Sequence, residues 1–151
     1  SSDVCSSDLG ATVDGYFCDF DRNYAFGEID AAAKAAHRTV WAATEAGIQA
    51  ARPGVKVSEL WRIMMDVLQA GGMLGNTAGR LGHGLGLQLT EIPSHSEDDD
   101  AVLQPGMVIT MEPGMEYALG KMIVHEENLA ITEGAADLLT VRAPEEMWTI
   151  N

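Results

Sequence analysis

The sequence predicts an α+β fold, and three features of the 151-residue chain indicate it. A hairpin signal opens the chain, two segments with helical periodicity follow, and the second half holds three short apolar segments. Helices and strands are therefore grouped in sequence and do not alternate, as a doubly wound parallel sheet would require. With 46% hydrophobic residues the chain is long enough to bury one core, so a single domain is expected.

The first predicted element is a β-hairpin around Asp14-Gly15. This pair lies between Val13 and Tyr16, and Asp-Gly flanked by apolar or aromatic residues is a strong hairpin signal. The extended segment after the turn carries Asp19. The residues before Asp8 are mostly Ser, which is a poor lead-in to a packed strand.

Two amphipathic helices are expected next. From Glu28 to about Ala51 small and apolar residues recur at spacings of three and four, which marks one helical face, and Pro53-Gly54 ends the helix. The residues of that face are Ala33, Ala36, Val40, Ala43 and Gly47. A second helix begins at Val57-Ser58, with Ser58 as its N-cap, and stops at Gly71-Gly72. Its buried stripe is Leu60, Ile63, Met64, Val67 and Leu68.

The remaining chain is predicted as a loop followed by strands. A glycine-rich stretch over residues 79–100 is expected to be a loop, and its last four residues are acidic and solvated. Apolar segments near residues 107–112, 121–125 and 128–132 are expected to be strands.

Composition excludes several classes of partner. Nine Lys and Arg against 23 Asp and Glu give a net charge of −14, which disfavours nucleic acid and anionic membrane surfaces. No apolar run approaches the roughly 18 residues of a membrane span. Cys5 and Cys18 are the only cysteines, so no disulfide framework is expected and a reducing compartment, the cytoplasm, is the default.

Some polar residues lie in segments where a hydrophobic core would normally place apolar side chains. His83 lies among alternating glycines that let backbone approach closely, although a glycine-rich loop with an incidental histidine has the same pattern. Glu112 ends an apolar strand and precedes Pro-Gly. Glu126 is enclosed by apolar segments, so it must face solvent, be paired or bind a cation. Together with Asp8 and Asp19, these side chains could hold two divalent ions.

These positions, in this order, resemble the pita-bread metallopeptidases, which include aminopeptidase P, prolidase, methionine aminopeptidase and the non-peptidase creatinase. The matching segments are Asp8-Leu9-Gly10, Gly15-Tyr16-Phe17-Cys18-Asp19 with Arg22, Gly82-His83-Gly84-Leu85-Gly86, Glu112-Pro113-Gly114, and Glu126 before Ile131-Thr132-Glu133. The resemblance covers nearly the whole chain from Gly10 onward. It implies the C-terminal part of a pita-bread catalytic domain, truncated on its N-terminal side.

The resemblance also implies a two-metal hydrolase of the Xaa-Pro peptidase type. Asp19 and Glu126 would bridge the ions, Asp8 would chelate one ion, and His83 with Glu112 would complete the other. The ions would be Mn, Zn, Co or Fe, and Glu112 and His83 would be the catalytic residues, with Glu112 transferring protons beside a metal-activated water. The expected partners are a peptide or small-molecule substrate and, for the full-length protein, a second copy of the chain.

The sequence departs from the family pattern at three positions. Thr90 replaces a histidine that normally contacts the substrate, and Val124 replaces an arginine of the proline-specific branch. Asp21 replaces a hydroxyl residue. Thr90 and His125 are the candidate substrate-binding residues, although alternation along a strand would point His125 to the opposite side.

These departures leave two alternatives open. One is a creatinase-like hydrolase or lyase of the same fold that acts on a small molecule. The other is a metal-free binding module that has kept the fold. His37 and His95 are assigned no role beyond structure or surface.

Residues 1–9 are expected to be a non-native leader, with the domain covering residues 10–151, although the spacing of Asp8 to Asp19 and the following Gly10 match the first ligand of the family. The string "SSDVCSSDL" resembles the translation of a sequencing adapter joined in frame to a truncated gene, and the fragment alone is expected to be inactive. Sequencing the intact locus should reveal an apolar strand there, whereas finding the same nine residues would refute the idea.

Overall fold

The computed structural model describes residues 3–76 and 78–150 and confirms the α+β class. Residues 1 and 2 of the expected leader and residue 151 of the expected domain lie outside the described part. The helices are α1 (Ala31–Ala50) and α2 (Val57–Ala70). The strands are β1 (Asp3–Val13), β2 (Tyr16–Phe26), β3 (His83–Gly84), β4 (Glu91–Ser94), β5 (Val108–Met111), β6 (Gly114–Ala118), β7 (Lys121–Val124), β8 (Glu127–Ala130), β9 (Asp137–Leu138) and β10 (Trp148–Ile150).

The predicted hairpin is present as β1 and β2. Asp14 has φ 52° and Gly15 has φ 88°, the pair of positive values that a two-residue turn of type I′ needs. The Ser-rich residues before Asp8 nevertheless belong to β1, because their backbone pairs with β2 along the whole strand. Composition misled the prediction at this point, since backbone hydrogen bonds form a strand even where most side chains are exposed.

Helix α1 buries the face that its spacing predicts. Asp30 is its N-cap and accepts a 2.7 Å hydrogen bond from the backbone N–H of Ala33. All members of the predicted face are buried, and His37 and Thr44 are buried with them. Gly47 lets the helices approach closely, because a Cβ there would lie 2.9 Å from the sulfur of Met64 on α2.

Helix α2 begins differently from the prediction. Its N-cap is Lys56, which makes no side-chain capping bond, so the expected cap at Ser58 is wrong. The backbone N–H groups of Val57 and Ser58 donate instead to the carbonyl oxygens of Ala101 and Asp99. Because main-chain carbonyls satisfy these donors, no side-chain cap is required.

The described strands form three sheets. β1, β2 and β10 form one sheet, β4-β3-β5-β8-β9 a second in that order, and β6 pairs with β7. The three predicted strands correspond to β5, β7 and β8. Strands β3 and β4 lie in the stretch expected to be loop, and β6 follows Pro113 directly, where only a turn was expected. These short strands exist through long-range pairing, which local sequence does not reveal.

The hydrophobic core lies between the two helices and strands β5 to β8. Leu60, Met64 and Leu68 of α2 are fully buried there, together with Ile109 and Met111 of β5. Helix α1 contacts α2 on one side and β5, β6 and β7 on the other. No helix among the described residues is both long and apolar enough to cross a membrane.

Candidate metal centre

Four of the predicted ligands come together from separate elements. Asp19 lies in β2, His83 begins β3, Glu112 follows β5 and Glu126 immediately precedes β8. Glu126 was expected within a strand-like run, but it occupies the link between β7 and β8, where the chain passes from one sheet to another. A residue in such a link is released from strand alternation and can turn inward.

His83 is the geometric centre of this group. Its Nε2 lies 3.7 Å from Oδ2 of Asp19, 3.7 Å from Oε2 of Glu112 and 3.8 Å from Oε1 of Glu126. The ligand atoms of Asp19, His83 and Glu126 all lie within 4.8 Å of one another. These separations exceed direct hydrogen bonds, yet they leave the donor atoms around a common point, as a shared cation requires.

The orientation of His83 suits a metal ligand. Its Nδ1 lies 2.9 Å from the carbonyl oxygen of Gly84, so Nδ1 carries the proton and donates it to that oxygen. The lone pair of Nε2 then faces the carboxylates. Burial, as the main cause, lowers the pKa of His83, which favours the neutral form that binds metals.

The carboxylates are held in an environment that disfavours their charge. Burial, reinforced by Glu112 and Asp19, raises the pKa of Glu126 to about 10. Burial also raises the pKa of Asp19 to about 7, with repulsion from Asp8 as the next cause. The pKa of Glu112 is raised by burial as well. Burial makes the charged form of these carboxylates unfavourable. If they do not bind protons, they need a positive charge nearby, such as a metal ion.

Two further acids complete the group. Asp8 on β1 stands directly opposite Asp21 on β2, and both lie within 4.8 Å of a Glu126 oxygen, measured between ligand atoms. Asp8 is exposed, whereas Asp21 is buried. Burial, followed by repulsion from Asp8, raises the pKa of Asp21 to about 7. Sequence reasoning noted Asp21 only as a departure, although its spacing of two from Asp19 places it on the same face of β2.

The residues present fit divalent cations. Among the described residues, Oε2 of Glu112 and Oε1 of Glu126 are buried atoms without a hydrogen-bond partner. Buried carboxylate oxygens are rarely left unpaired, because desolvation without compensation is costly. An oxygen-rich donor set with one imidazole is a suitable site for Mn, Zn, Co or Fe.

Arg22 and Asn128 hold the strands that carry these ligands. The guanidinium of Arg22 donates to the backbone oxygens of Asp21 and Glu126, each at 2.8 Å. The side-chain amide of Asn128 on β8 accepts from the backbone N–H of Asp19 at 3.0 Å and donates to the backbone oxygen of Asp19. Both contacts join β2 to β8, so they fix the separation of Asp19 and Glu126.

Glu127 anchors a buried ion network behind the centre. It accepts from Arg22 at 2.9 Å, from Arg142 at 3.2 Å, from the Ala143 N–H at 3.0 Å and from the Thr140 hydroxyl. Its side chain has no exposed surface. Sequence reasoning missed Glu127 and Arg142, and the only signal was a second acid next to Glu126 in an apolar setting.

His125 lies in this network and not among the metal-ligating atoms. The Thr44 hydroxyl donates to the Val40 carbonyl and therefore accepts from Nδ1 of His125, at 3.0 Å. Nε2 of His125 lies 3.1 Å from Arg142, which donates to it. Burial and the charge of Arg142 lower the pKa of His125 to about 2. Both ring nitrogens are thus engaged on the α1 side, away from the metal-ligating atoms.

Thr90, His95 and His37 differ in their burial. Thr90 is exposed just before β4. His95, which was expected to be structural or at the surface, is fully buried against Gly82. His37 is also buried, with Nε2 3.3 Å from the Pro144 oxygen.

A small cavity of about 80 Å³ opens beside Glu112 and is also lined by Arg80 and Val124. Arg80 is half-buried, and its guanidinium makes no hydrogen bond or ion pair with the residues that the structure describes. Its charge acts on Glu112, whose pKa it lowers in opposition to burial. A larger cavity of about 420 Å³, lined by Tyr16, Leu85 and Met107 among others, contains none of the predicted ligands.

The raised pKa values predict that the metal-free protein loses stability as pH increases. Asp19 and Asp21 titrate near 4 when unfolded and at about 7 when folded, so the folded state binds more protons between these values. The melting temperature of the metal-free, full-length protein should therefore fall from pH 5 to pH 7.5. Adding Mn²⁺ should raise it more at pH 7.5.

Calorimetric melting at both pH values checks this expectation. The Glu126→Gln variant is the control, because it removes a group whose pKa is raised to about 10. Its loss of stability between the two pH values should be smaller than that of the parent. A melting temperature that rises with pH in the metal-free parent would contradict the electrostatic description.

Comparison with known proteins connects this centre with a family. The sequence profile of Metallopeptidase family M24 matches residues 1–133. The protein YkvY of Bacillus subtilis is 36% identical over 133 residues, which are 88% of this chain and 37% of that protein. The Xaa-Pro dipeptidase of Pyrococcus furiosus is 33% identical over 138 residues, 91% of this chain and 40% of that protein. The chain thus spans less than half the length of these relatives.

Solved structures agree with the sequence comparison. An X-Pro aminopeptidase from Thermotoga maritima superimposes with a TM-score of 0.88 at 31% identity, covering 97% of this chain and 42% of that one. The prolidase from Pyrococcus furiosus gives a TM-score of 0.88 at 32% identity, covering 93% and 42%. Methionine aminopeptidase from Rickettsia prowazekii superimposes with a TM-score of 0.81 at 21% identity, covering 91% of this chain and 64% of that one. At this identity the similarity concerns only the fold. The expected pita-bread fold is confirmed.

Proposed function

The chain belongs to Metallopeptidase family M24, and on that premise we propose that the full-length protein is a dinuclear metal-dependent hydrolase of the Xaa-Pro peptidase type. The observation that carries the proposal is the position of His83 Nε2, within 3.8 Å of oxygens from Asp19, Glu112 and Glu126. The relatives named as Xaa-Pro dipeptidase and X-Pro aminopeptidase support the substrate class.

In the proposed centre Asp8, Asp19, His83, Glu112 and Glu126 would hold the two ions. The unpartnered oxygens of Glu112 and Glu126 support this assignment. When bound, the ions would supply an acidified water as nucleophile and polarise the carbonyl of the scissile bond. Manganese is the ion we propose, because a carboxylate-rich set favours it over softer metals.

Glu112 is the proposed proton acceptor. It follows β5 directly, its carboxylate is partly exposed beside the small cavity, and its raised pKa moves it toward neutral pH. A base at this position takes a proton during attack and can return it to the leaving amine. His83 holds its lone pair toward the same point and acts as a ligand and not as a base.

Arg80 gives the site a cation for substrate recognition. Arg80 lines the small cavity together with Glu112 and Val124. Position 124 is where the family resemblance leads us to expect an arginine. The guanidinium of Arg80, which has no hydrogen-bond partner among the described residues, can bind the terminal carboxylate of a short peptide through two parallel hydrogen bonds. Thr90 would donate a hydrogen bond to the substrate as the chain adjusts around it.

Hydrolysis of Xaa-Pro dipeptides tests the proposal. The metal-loaded full-length protein should cleave Ala-Pro and Gly-Pro, and the matching C-terminal amides should be cleaved with a higher KM because they offer Arg80 no carboxylate. Release of proline from the dipeptides and of prolinamide from the amides, both measured by chromatography, gives the two rates. Absence of turnover on dipeptides and on longer Xaa-Pro peptides, with metal bound, would contradict the peptidase activity.

A creatinase-like hydrolase or lyase is the second candidate function. Thr90 and Val124 favour it, because both remove groups that contact the peptide substrate in the family pattern. Turnover of a small carbon–nitrogen substrate such as creatine, without turnover of any peptide, would support it. A metal-free binding module is the remaining alternative, and it predicts no bound metal.

A further inference from the structure

Asp21 lies on the same face of β2 as Asp19. Alternate residues of a strand point to the same side, so residues 19 and 21 both face the metal centre. The register of the hairpin pairs Gly10 with Asp19 and Asp8 with Asp21. The acid of β1 is therefore directly opposite Asp21, and Asp19 has no side chain across from it.

The Asp8–Asp21 pair is an unfavourable arrangement without a cation. Like charges directly opposite on neighbouring strands repel each other. Asp21 is only 4% exposed, so water screens its charge weakly. The adjacent cation, Arg22, forms its ion pair with Glu127 at 2.9 Å and donates to the backbone, and not to the side chain, of Asp21.

Glu126 supplies an independent observation at the same place. It is 1% exposed, and its Oε1 has no hydrogen-bond partner among the residues that the structure describes. Glu126 belongs to two groups whose ligand atoms lie within 4.8 Å of one another, one with Asp19 and His83, the other with Asp8 and Asp21. One carboxylate thus faces both groups, as a bridging ligand between two ions does.

We propose that Asp21 is itself a metal ligand, which with Asp8 and Glu126 holds one of the two ions of the proposed function. Asp19, His83 and Glu112 would then hold the other ion. Asp19 and Glu126 would lie near both ions. This assignment rests on the proposed dinuclear site and extends it beyond the ligand set implied by the family resemblance. It makes the Asp8 side an all-oxygen site, which selects a hard cation such as Mn²⁺.

Metal titration of the full-length protein tests the assignment. The metal-stripped parent, Asp21→Asn and Asp21→Thr are titrated with MnCl₂ by isothermal calorimetry, with bound metal counted by mass spectrometry. Asp98→Asn is the matched control, because it makes the same chemical change in an exposed loop. We expect the parent and Asp98→Asn to bind two ions, whereas both Asp21 variants bind one ion normally and the other at least about tenfold more weakly.

The outcomes separate this inference from the proposed function. If the parent binds no Mn²⁺, the proposed function fails. If the parent binds two ions and the Asp21 variants bind both with parental affinity, Asp21 is not a ligand and the proposed function stands.

A melting experiment distinguishes a ligand from a structural residue. Replacing Asp21 by Asn removes repulsion from Asp8, so the metal-free variant should melt at or above the parental temperature. It should also gain less than the parent when Mn²⁺ is added. A metal-free variant that is unfolded, or melts well below the parent, would overturn the assignment.

Discussion

The Glu112→Gln variant of the full-length protein is expected to lose about 10²- to 10⁴-fold in kcat on Xaa-Pro dipeptides, the range that a positioned general base contributes. The amide retains the size of the side chain, but it cannot accept a proton and is a poorer metal ligand. The folded structure should be preserved, because Glu112 follows β5 on the partly exposed edge of the cavity. Steady-state release of proline measures the effect.

Glu97→Gln is the matched control for this substitution. Glu97 is an exposed acid in the loop after β4. Its replacement removes the same charge at a position away from the centre. Its kcat should equal that of the parent. If Glu112→Gln kept activity within about tenfold of the parent, the assignment of the base would be wrong.

Glu127→Ala is expected to lower the free energy of unfolding by about 3–5 kcal/mol, the range for breaking one side of a buried ion pair. The substitution leaves Arg22 and Arg142 without their shared carboxylate and removes acceptors from Thr140 and Ala143. Glu127→Gln should lose less, because the amide oxygen still accepts. Urea denaturation of the metal-free, full-length protein measures both losses.

A second arginine–glutamate pair provides the comparison. Arg38 and Glu146 form an ion pair on the surface, with side chains 55% and 64% exposed. Because solvent screens such pairs, Glu146→Ala should change the stability little or not at all. Equal losses for the two alanine variants would contradict the claim that the network around Glu127 supports the centre.

Local sequence rules were sufficient for the elements that local interactions form. The turn at Asp14-Gly15 and the buried face of α1 were correct because positive φ values and helical spacing depend on neighbouring residues alone. The N-cap of α2 was wrong because carbonyls from residues 99 and 101 satisfy its first N–H groups, and a contact across more than 40 positions leaves no local signal.

The metal centre shows the same division. The sequence singled out His83, Glu112 and Glu126 because each stands beside glycine, proline or an apolar run, and Asp19 because a Gly-containing turn separates it from Asp8. Glu127 could not, because its partners Arg22 and Arg142 become neighbours only when β2 and the C-terminal segment pack against β8. Asp21 could have been included from alternation with Asp19, which strand periodicity alone provides.

His125 lies in the link after β7, where strand alternation no longer determines the direction of a side chain. Adjacent to Glu126 in sequence, it was a candidate for substrate binding, yet its nitrogens contact Thr44 and Arg142. The direction of a side chain at a strand end depends on the packing of α1, which sequence spacing does not determine.

The number of divalent ions bound per chain is the most direct test of a dinuclear centre. The full-length protein, reconstituted with Mn²⁺ and freed of excess metal, would be analysed by inductively coupled plasma mass spectrometry against protein concentration from amino-acid analysis. Two groups of ligand atoms share Glu126, one with Asp19 and His83 and the other with Asp8 and Asp21, so we predict two ions per chain, and fewer in Glu126→Gln. A parent protein that binds one ion or none under these conditions would contradict the dinuclear site.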